Sequence, residues 1–113
     1  MEKLTGLIAA PHTPFDAHGE VNYPVIDQIA EHLIGQGVKG VYVLGTTGEG
    51  IHCCVAERRK IAERWVAASH GKLSITLHTG ALSIADSLEL SRHAETLDIF
   101  ATSVIGPCFF KPS

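Results

Sequence analysis

Residues 40–50 read GVYVLGTTGEG, and this stretch says most about the fold. Its first half is rich in β-branched and aromatic residues, which predicts a strand over residues 39–44. A glycine-rich polar segment follows directly, at the carboxyl end of the strand, where α/β folds place their ligand sites. The stretch therefore predicts a strand–loop–helix unit, and the rest of the chain is expected to repeat it.

Three further apolar runs predict strands, over residues 4–10, 73–78 and 100–105. Each run is nearly continuous rather than alternating, which is typical of parallel strands covered on both faces. We therefore expect a parallel sheet of four strands.

Helical patterns fill the gaps between these runs. The first helix is predicted to begin after Asn22 as its N-cap, the second to span residues 55–68, and the third to follow the N-cap Ser83. The charged residues of the second helix are expected on its solvated outside: Glu57, Arg58, Arg59, Lys60, Glu63 and Arg64. The third helix is expected to bury Ile84, Leu88, Leu90, Ala94 and Leu97.

The predicted order is βαβαβαβ, with strands beginning about 35, 34 and 27 residues apart. A (β/α)8 barrel uses about 31 residues per unit, so the spacing fits about three and a half of its units. The same spacing fits half of a doubly wound sheet. A barrel carries its helices on one face of the sheet, whereas a doubly wound sheet carries them on both.

Composition excludes several classes of function. The chain has 113 residues, a formal net charge of −3 and no basic run, which argues against a nucleic-acid partner. No apolar stretch is long enough for a membrane span, and the N-terminus does not read as a signal peptide, so we expect a cytoplasmic protein. Three cysteines, two of them adjacent, predict neither a disulfide framework nor a metal site.

The loop over residues 45–50 has the chemistry of an anion cradle. Thr46 and Thr47 place two hydroxyls beside backbone N–H groups, and the glycines let the main chain approach a ligand. The loop is not a P-loop, since no Gly-Lys-Ser/Thr follows, and it does not match the dinucleotide fingerprint. It therefore predicts a binding site for a carboxylate or phosphate, with a tight turn of no binding function as the alternative.

The stretch GVYVLGTTGEG, followed by Glu57-Arg58-Arg59, resembles the class I pyruvate aldolases of the N-acetylneuraminate lyase and dihydrodipicolinate synthase family. Thr13-Pro14-Phe15 and the segment 78–83, HTGALS, agree with the family pattern. The segment 109–112, FFKP, is most similar to the animal-type lyase branch. The resemblance covers essentially the whole chain.

The resemblance implies a homotetramer of (β/α)8 barrels that cleaves N-acetylneuraminate to N-acetylmannosamine and pyruvate. A lysine forms a Schiff base with the substrate ketone, and the iminium is the electron sink for C–C cleavage. It implies that Thr46 and Thr47 bind the pyruvate carboxylate, that Thr46 also joins the proton relay, and that no separate cofactor or metal takes part.

The resemblance also places the Schiff-base lysine on strand six and its partner tyrosine on strand five. The sequence ends at Ser113, which is expected to follow strand four, so we expect residues 1–113 to be an incomplete barrel domain that is inactive alone. Of its five lysines, only Lys111 is expected in the right region, and the family's lysine is not at that position. The alternatives are a fragment of another pyruvate aldolase, such as dihydrodipicolinate synthase, and a non-catalytic binder or modulator of full-length subunits. The chain alone is expected to associate with its own copies.

Individual residues carry further expectations. Cys54 replaces the family's usual Ser or Thr at the helix N-cap, at an expected cost of about 1 kcal/mol. Phe109 stands where many relatives carry a tyrosine that reaches a neighbouring subunit. His78 is expected to be packed and hydrogen-bonded at a strand end, and Tyr42 and Trp65 to lie in the core.

Overall fold

The computed structural model describes residues 6–45, 53–81 and 83–103. Strands and helices alternate through these ranges. In chain order they are β1 (Ile8–Ala9), α1 (Tyr23–Gly35), β2 (Gly40–Val43), α2 (Val55–Ser69), β3 (Ser74–His78), α3 (Ile84–Ala94) and β4 (Ala101–Ser103). The predicted element order is confirmed, with β1 and α3 shorter than expected.

The four strands form one parallel sheet in the order β1-β2-β3-β4. The register pairs Gly40 with Ser74 and Thr76 with Ala101, so each strand lies beside its predecessor in the chain. Consecutive parallel strands joined by helices are the repeating unit of a barrel.

The helices lie on one face of this sheet. Helix α2 contacts both α1 and α3, which places all three in one layer. The strand residues beneath that layer are almost fully buried: Val41, Val43, Ile75 and Leu77. On the opposite face, Tyr42, Thr76 and Ala101 are only half-buried. One covered and one open face correspond to half of a (β/α)8 barrel, and the doubly wound alternative is excluded.

The core lies between the sheet and the helix layer. Ile26 of α1 and Ile61 of α2 have no exposed surface, and Trp65 of α2 is 2% exposed and is among the largest buried side chains. Burial of such side chains supplies most of the stabilisation of the sheet–helix contact. The predicted core position of Trp65 is confirmed.

The N-termini of α1 and α2 differ in their capping. Asn22 precedes α1 but makes no side-chain cap hydrogen bond; the Val25 amide donates to the Asn22 carbonyl at 3.2 Å instead. Before α2, the Cys54 sulfur accepts from the Glu57 amide at 3.5 Å and the Glu57 carboxylate accepts from the Cys54 amide at 2.9 Å. Cys54 therefore forms a complete capping box despite its sulfur.

The predicted buried side of α3 is partly wrong. Leu90 and Ala94 are buried, but Ile84 is 80% exposed and Leu88 is 52% exposed. Glu89 and His93 of α3 face Arg59 and Glu63 of α2. Ile84 and Leu88 lie on the other flank of the helix, where the described residues include no further element, so their apolar surface stays open.

Candidate active site

The predicted carboxylate loop begins at the carboxyl end of β2. Thr46 and Thr47 lie outside the described residues, as do Lys111 and Phe109, so their predicted roles stay predictions. The structure does describe Gly45, the first residue of the loop after β2, and Cys54, which lies four residues beyond the loop and before α2. It also describes the neighbouring ends of β3 and β4.

Gly45 is the last described residue before the loop, and its lack of a side chain is required there. A Cβ at this position would overlap the ring of Tyr42. Only glycine lets the main chain turn away from β2 so close to that aromatic ring. The glycine that opens the loop is therefore explained by close packing.

Tyr42 and Ser103 meet on the open face of the sheet. The Tyr42 hydroxyl donates to the Ser103 hydroxyl oxygen at 3.0 Å, which joins β2 to β4 across β3. The Tyr42 ring also lies 6.4 Å, centroid to centroid, from the ring of His78. Tyr42 was predicted in the core; it is instead half-buried on the open face, because its strand position faces away from the helices.

His78 ends β3 beside this pair and is only 6% exposed. Burial lowers the pKa of its imidazole, and the Arg58 charge lowers it further, although a backbone hydrogen bond with Ser103 acts in the opposite direction. The Nδ1 atom is buried without a hydrogen-bond partner. The predicted packing of His78 is confirmed, and the site has a neutral imidazole at neutral pH.

The lowered pKa of His78 predicts a pH dependence of stability. The unfolded chain binds a proton near the ordinary histidine pKa of 6.5, and the folded chain resists it to a lower pH. The contribution of His78 to stability is therefore fully present above about pH 6.5 and falls as the pH drops below it. Thermal unfolding at about pH 7.5 and about pH 5.5 should show a smaller loss of Tm in His78→Gln than in the unsubstituted chain. An equal loss of Tm in the His78→Gln and unsubstituted chains would contradict this role of His78. His18→Gln is the control, because His18 is exposed.

Arg58 of α2 holds the main chain at the end of β3. Its Nη2 donates to the His78 carbonyl at 2.8 Å and its Nη1 donates to the Gly80 carbonyl at 2.7 Å. The side chain is 3% exposed, and burial lowers the pKa of its guanidinium. Arg58 was predicted on the solvated outside of α2, and that prediction is wrong.

The sequence does contain a signal for Arg58. Ile61, Ala62 and Trp65 follow it at three, four and seven residues, so Arg58 lies on the same apolar stripe of α2. An arginine on a buried stripe must find hydrogen-bond acceptors, and the end of β3 supplies them.

A cavity of about 250 Å³ lies beside the first turns of α2 and α3, and its lining includes Arg58, Cys54 and Asp86.

None of the helices in the described ranges is long and apolar enough to cross a membrane.

Comparisons with known proteins agree with this geometry. Residues 3–113 match the family model of the dihydrodipicolinate synthetase family. The N-acetylneuraminate lyase of Mus musculus is 46% identical over 112 residues, which are 97% of this chain and 35% of that protein. The chain thus spans about a third of the length of the curated relatives it matches.

Two solved structures extend the comparison. The N-acetylneuraminate lyase of Proteus mirabilis is 78% identical with a TM-score of 0.96, and the match covers 99% of this chain and 38% of that one. The dihydrodipicolinate synthase of Aquifex aeolicus is 30% identical with a TM-score of 0.88, and the match covers 96% of this chain and 36% of that one. The fold is thus shared with both enzymes, and sequence identity is much higher to the Proteus mirabilis lyase than to the Aquifex aeolicus synthase.

Proposed function

This chain belongs to the dihydrodipicolinate synthetase family, and we propose that it forms the carboxylate-binding part of an N-acetylneuraminate lyase. The observation that carries the proposal is the 78% identity to the Proteus mirabilis lyase over 99% of this chain. The 30% identity to a dihydrodipicolinate synthase supports that alternative less well.

In this proposal, the hydroxyls of Thr46 and Thr47 bind the carboxylate of the keto acid, and Thr46 also passes a proton. The described surroundings support such a role. Tyr42 and Ser103 supply hydroxyls on the open face, and His78 is held neutral. Neutral hydroxyl groups of the kind that hydrogen-bond a carboxylate therefore lie on this face of the sheet.

The covalent step of the proposed reaction needs a lysine that forms an iminium with the ketone. By resemblance that lysine belongs to a later strand of the barrel, and none of the five lysines here stands at its position. We propose that residues 1–113 supply substrate positioning and that the remainder of a barrel supplies the electron sink. The homotetramer and the cytoplasmic location belong to the same proposal. The homotetramer rests on the resemblance, and the cytoplasmic location rests on the cysteine content of the sequence.

The proposal is tested in a chimaera in which this chain replaces the matching 38% of the Proteus mirabilis lyase. The close superposition of the two folds makes the exchange conservative. We expect the chimaera to cleave N-acetylneuraminate and to have no dihydrodipicolinate synthase activity. A folded chimaera that lacks lyase activity would contradict the proposal and favour a non-catalytic binder. A chimaera with synthase activity alone would favour the second enzyme.

A further inference from the structure

Three successive main-chain carbonyls at the end of β3 are bound by side chains from two helices. Arg58 of α2 binds the carbonyls of His78 and Gly80. Ser87 of α3 donates its hydroxyl to the Thr79 carbonyl between them, at 2.9 Å. We refer to Arg58 and Ser87 as the β3 clamp.

Thr79 itself is tied from two further sides. Its amide donates to the Ser103 carbonyl of β4 at 2.9 Å, and its hydroxyl oxygen accepts from the Ser91 hydroxyl of α3 at 3.0 Å. Thr79 is 1% exposed, so these bonds form away from water. The end of β3 is thus fixed in position relative to α2, α3 and β4.

The arginine of the clamp is buried, so its charge carries a desolvation cost. A buried guanidinium is usually paired with a carboxylate, yet Arg58 forms no ion pair with any carboxylate of the described residues. Its Nε is buried without a partner. If packing between α2 and the sheet were the only requirement, an apolar side chain at position 58 would meet it. The planar fork of arginine instead binds two carbonyls that are two residues apart, which a lysine ammonium cannot reproduce.

The first turn of α2 connects the clamp to the proposed carboxylate loop. Cys54, the N-cap of α2, ends the segment that contains Thr46 and Thr47, and Arg58 follows four residues later. The Arg58 amide also donates to the Cys54 carbonyl at 2.9 Å, so the loop's end and the guanidinium share one rigid helical turn. Cys54 is therefore held in place relative to the end of β3 through the same turn of α2 that carries the guanidinium.

We infer that Arg58 is a positioning residue for the proposed lyase reaction: it fixes the end of β3, where His78 reaches the open face, relative to the first turn of α2. The inference rests on the proposed function. Arg58 acts through the main chain at 78–80 and does not itself contact substrate. Its loss is expected to misplace the bound keto acid, and small misplacements of a reacting group are costly in rate.

The test uses the chimaera described above with Arg58→Lys and Arg58→Met, and with Arg59→Met as the matched control. Arg59 is the adjacent arginine of the same helix, half-exposed and only 3.7 Å from Glu89 in an exposed pair. We expect both Arg58 variants to lower kcat for N-acetylneuraminate by about 10-fold or more in fully folded enzyme. Arg59→Met should stay within about 2-fold of the unsubstituted chimaera.

The measurement separates positioning from stability. Far-UV circular dichroism and Tm give the folded fraction at the assay temperature, and kcat is measured at saturating substrate and normalised to that fraction. Normalised kcat values for both Arg58 variants within about 2-fold of the unsubstituted chimaera would overturn the inference. If Arg58→Met does not fold, Arg58→Lys decides, since it keeps the charge and the aliphatic stem. An inactive unsubstituted chimaera would contradict the proposed function itself, and the role of Arg58 with it.

Discussion

Replacing Thr46 and Thr47 with valine in the chimaera is expected to abolish most of its lyase activity. Each hydroxyl is proposed to hydrogen-bond a carboxylate, and a bond to a charged group contributes about 1.5–3 kcal/mol. The pair should therefore lower kcat/KM for N-acetylneuraminate by at least about 100-fold. Valine keeps the shape of threonine, so the change removes the hydroxyls with little effect on packing.

The matched control is Thr102→Val in β4, an exposed threonine on the face of the sheet that carries the helices. It should leave kcat/KM within about 2-fold of the unsubstituted value. The inhibition constant of pyruvate gives a second readout, since pyruvate contains only the keto acid part of the substrate. Full activity in the double variant would show that the loop does not bind the carboxylate.

Replacing Trp65 with alanine is expected to lower the free energy of unfolding by about 3–5 kcal/mol. Trp65 is 2% exposed and lies in the same core as Ile61 and the buried residues of β2 and β3, so its removal leaves a large cavity. A single domain has about 5–15 kcal/mol of stability in total, so this loss should be a large fraction of it and should clearly lower the urea midpoint.

Urea unfolding followed by circular dichroism checks this prediction on the 113-residue chain. Leu88→Ala serves as the control, because Leu88 is also a large apolar helix residue but is 52% exposed. Its effect should be under about 0.5 kcal/mol. Similar losses in both variants would mean that the helix layer is not packed on the sheet as described.

The element order and the parallel α/β class were predictable from the sequence because they depend on long apolar runs. The runs that became β2 and β3 bury alternate residues under the helices and need no tertiary information to be recognised. The number of helix layers was not predictable from spacing alone. It follows from the contacts of α2 with both α1 and α3.

Side-chain environments on the helices were less predictable, since they depend on which neighbour each flank meets. Arg58 was assigned to solvent by its charge, although its spacing from Ile61 and Trp65 puts it on the buried stripe. Leu88 was assigned to the core by its hydropathy, although Ser87 and Ser91 occupy the side of α3 that bonds to Thr79. In both helices, the side that faces the sheet carries residues that hydrogen-bond to the end of β3, and composition alone did not reveal these bonds.

Sequence motifs predict the carboxylate loop better than any other part of the proposed site. Its two threonines, Thr46 and Thr47, lie outside the described residues. Its glycine at position 45 and its cap at Cys54 agree with the motif's position after β2. The polar residues on the open face, Tyr42 and Ser103, were found only from the structure because their contact spans two strands.

The most direct test of the central claim is intact mass spectrometry after incubation with pyruvate and borohydride, which reduces and traps a Schiff base. The claim is that this chain positions the keto acid while a lysine elsewhere in the barrel reacts with it. We predict one reduced pyruvyl adduct on the chimaera, much less on its Thr46→Val, Thr47→Val variant, and none on the 113-residue chain alone. A pyruvyl adduct on any of the five lysines of the chain alone, with N-acetylneuraminate cleavage that is lost when that lysine is replaced, would contradict the account.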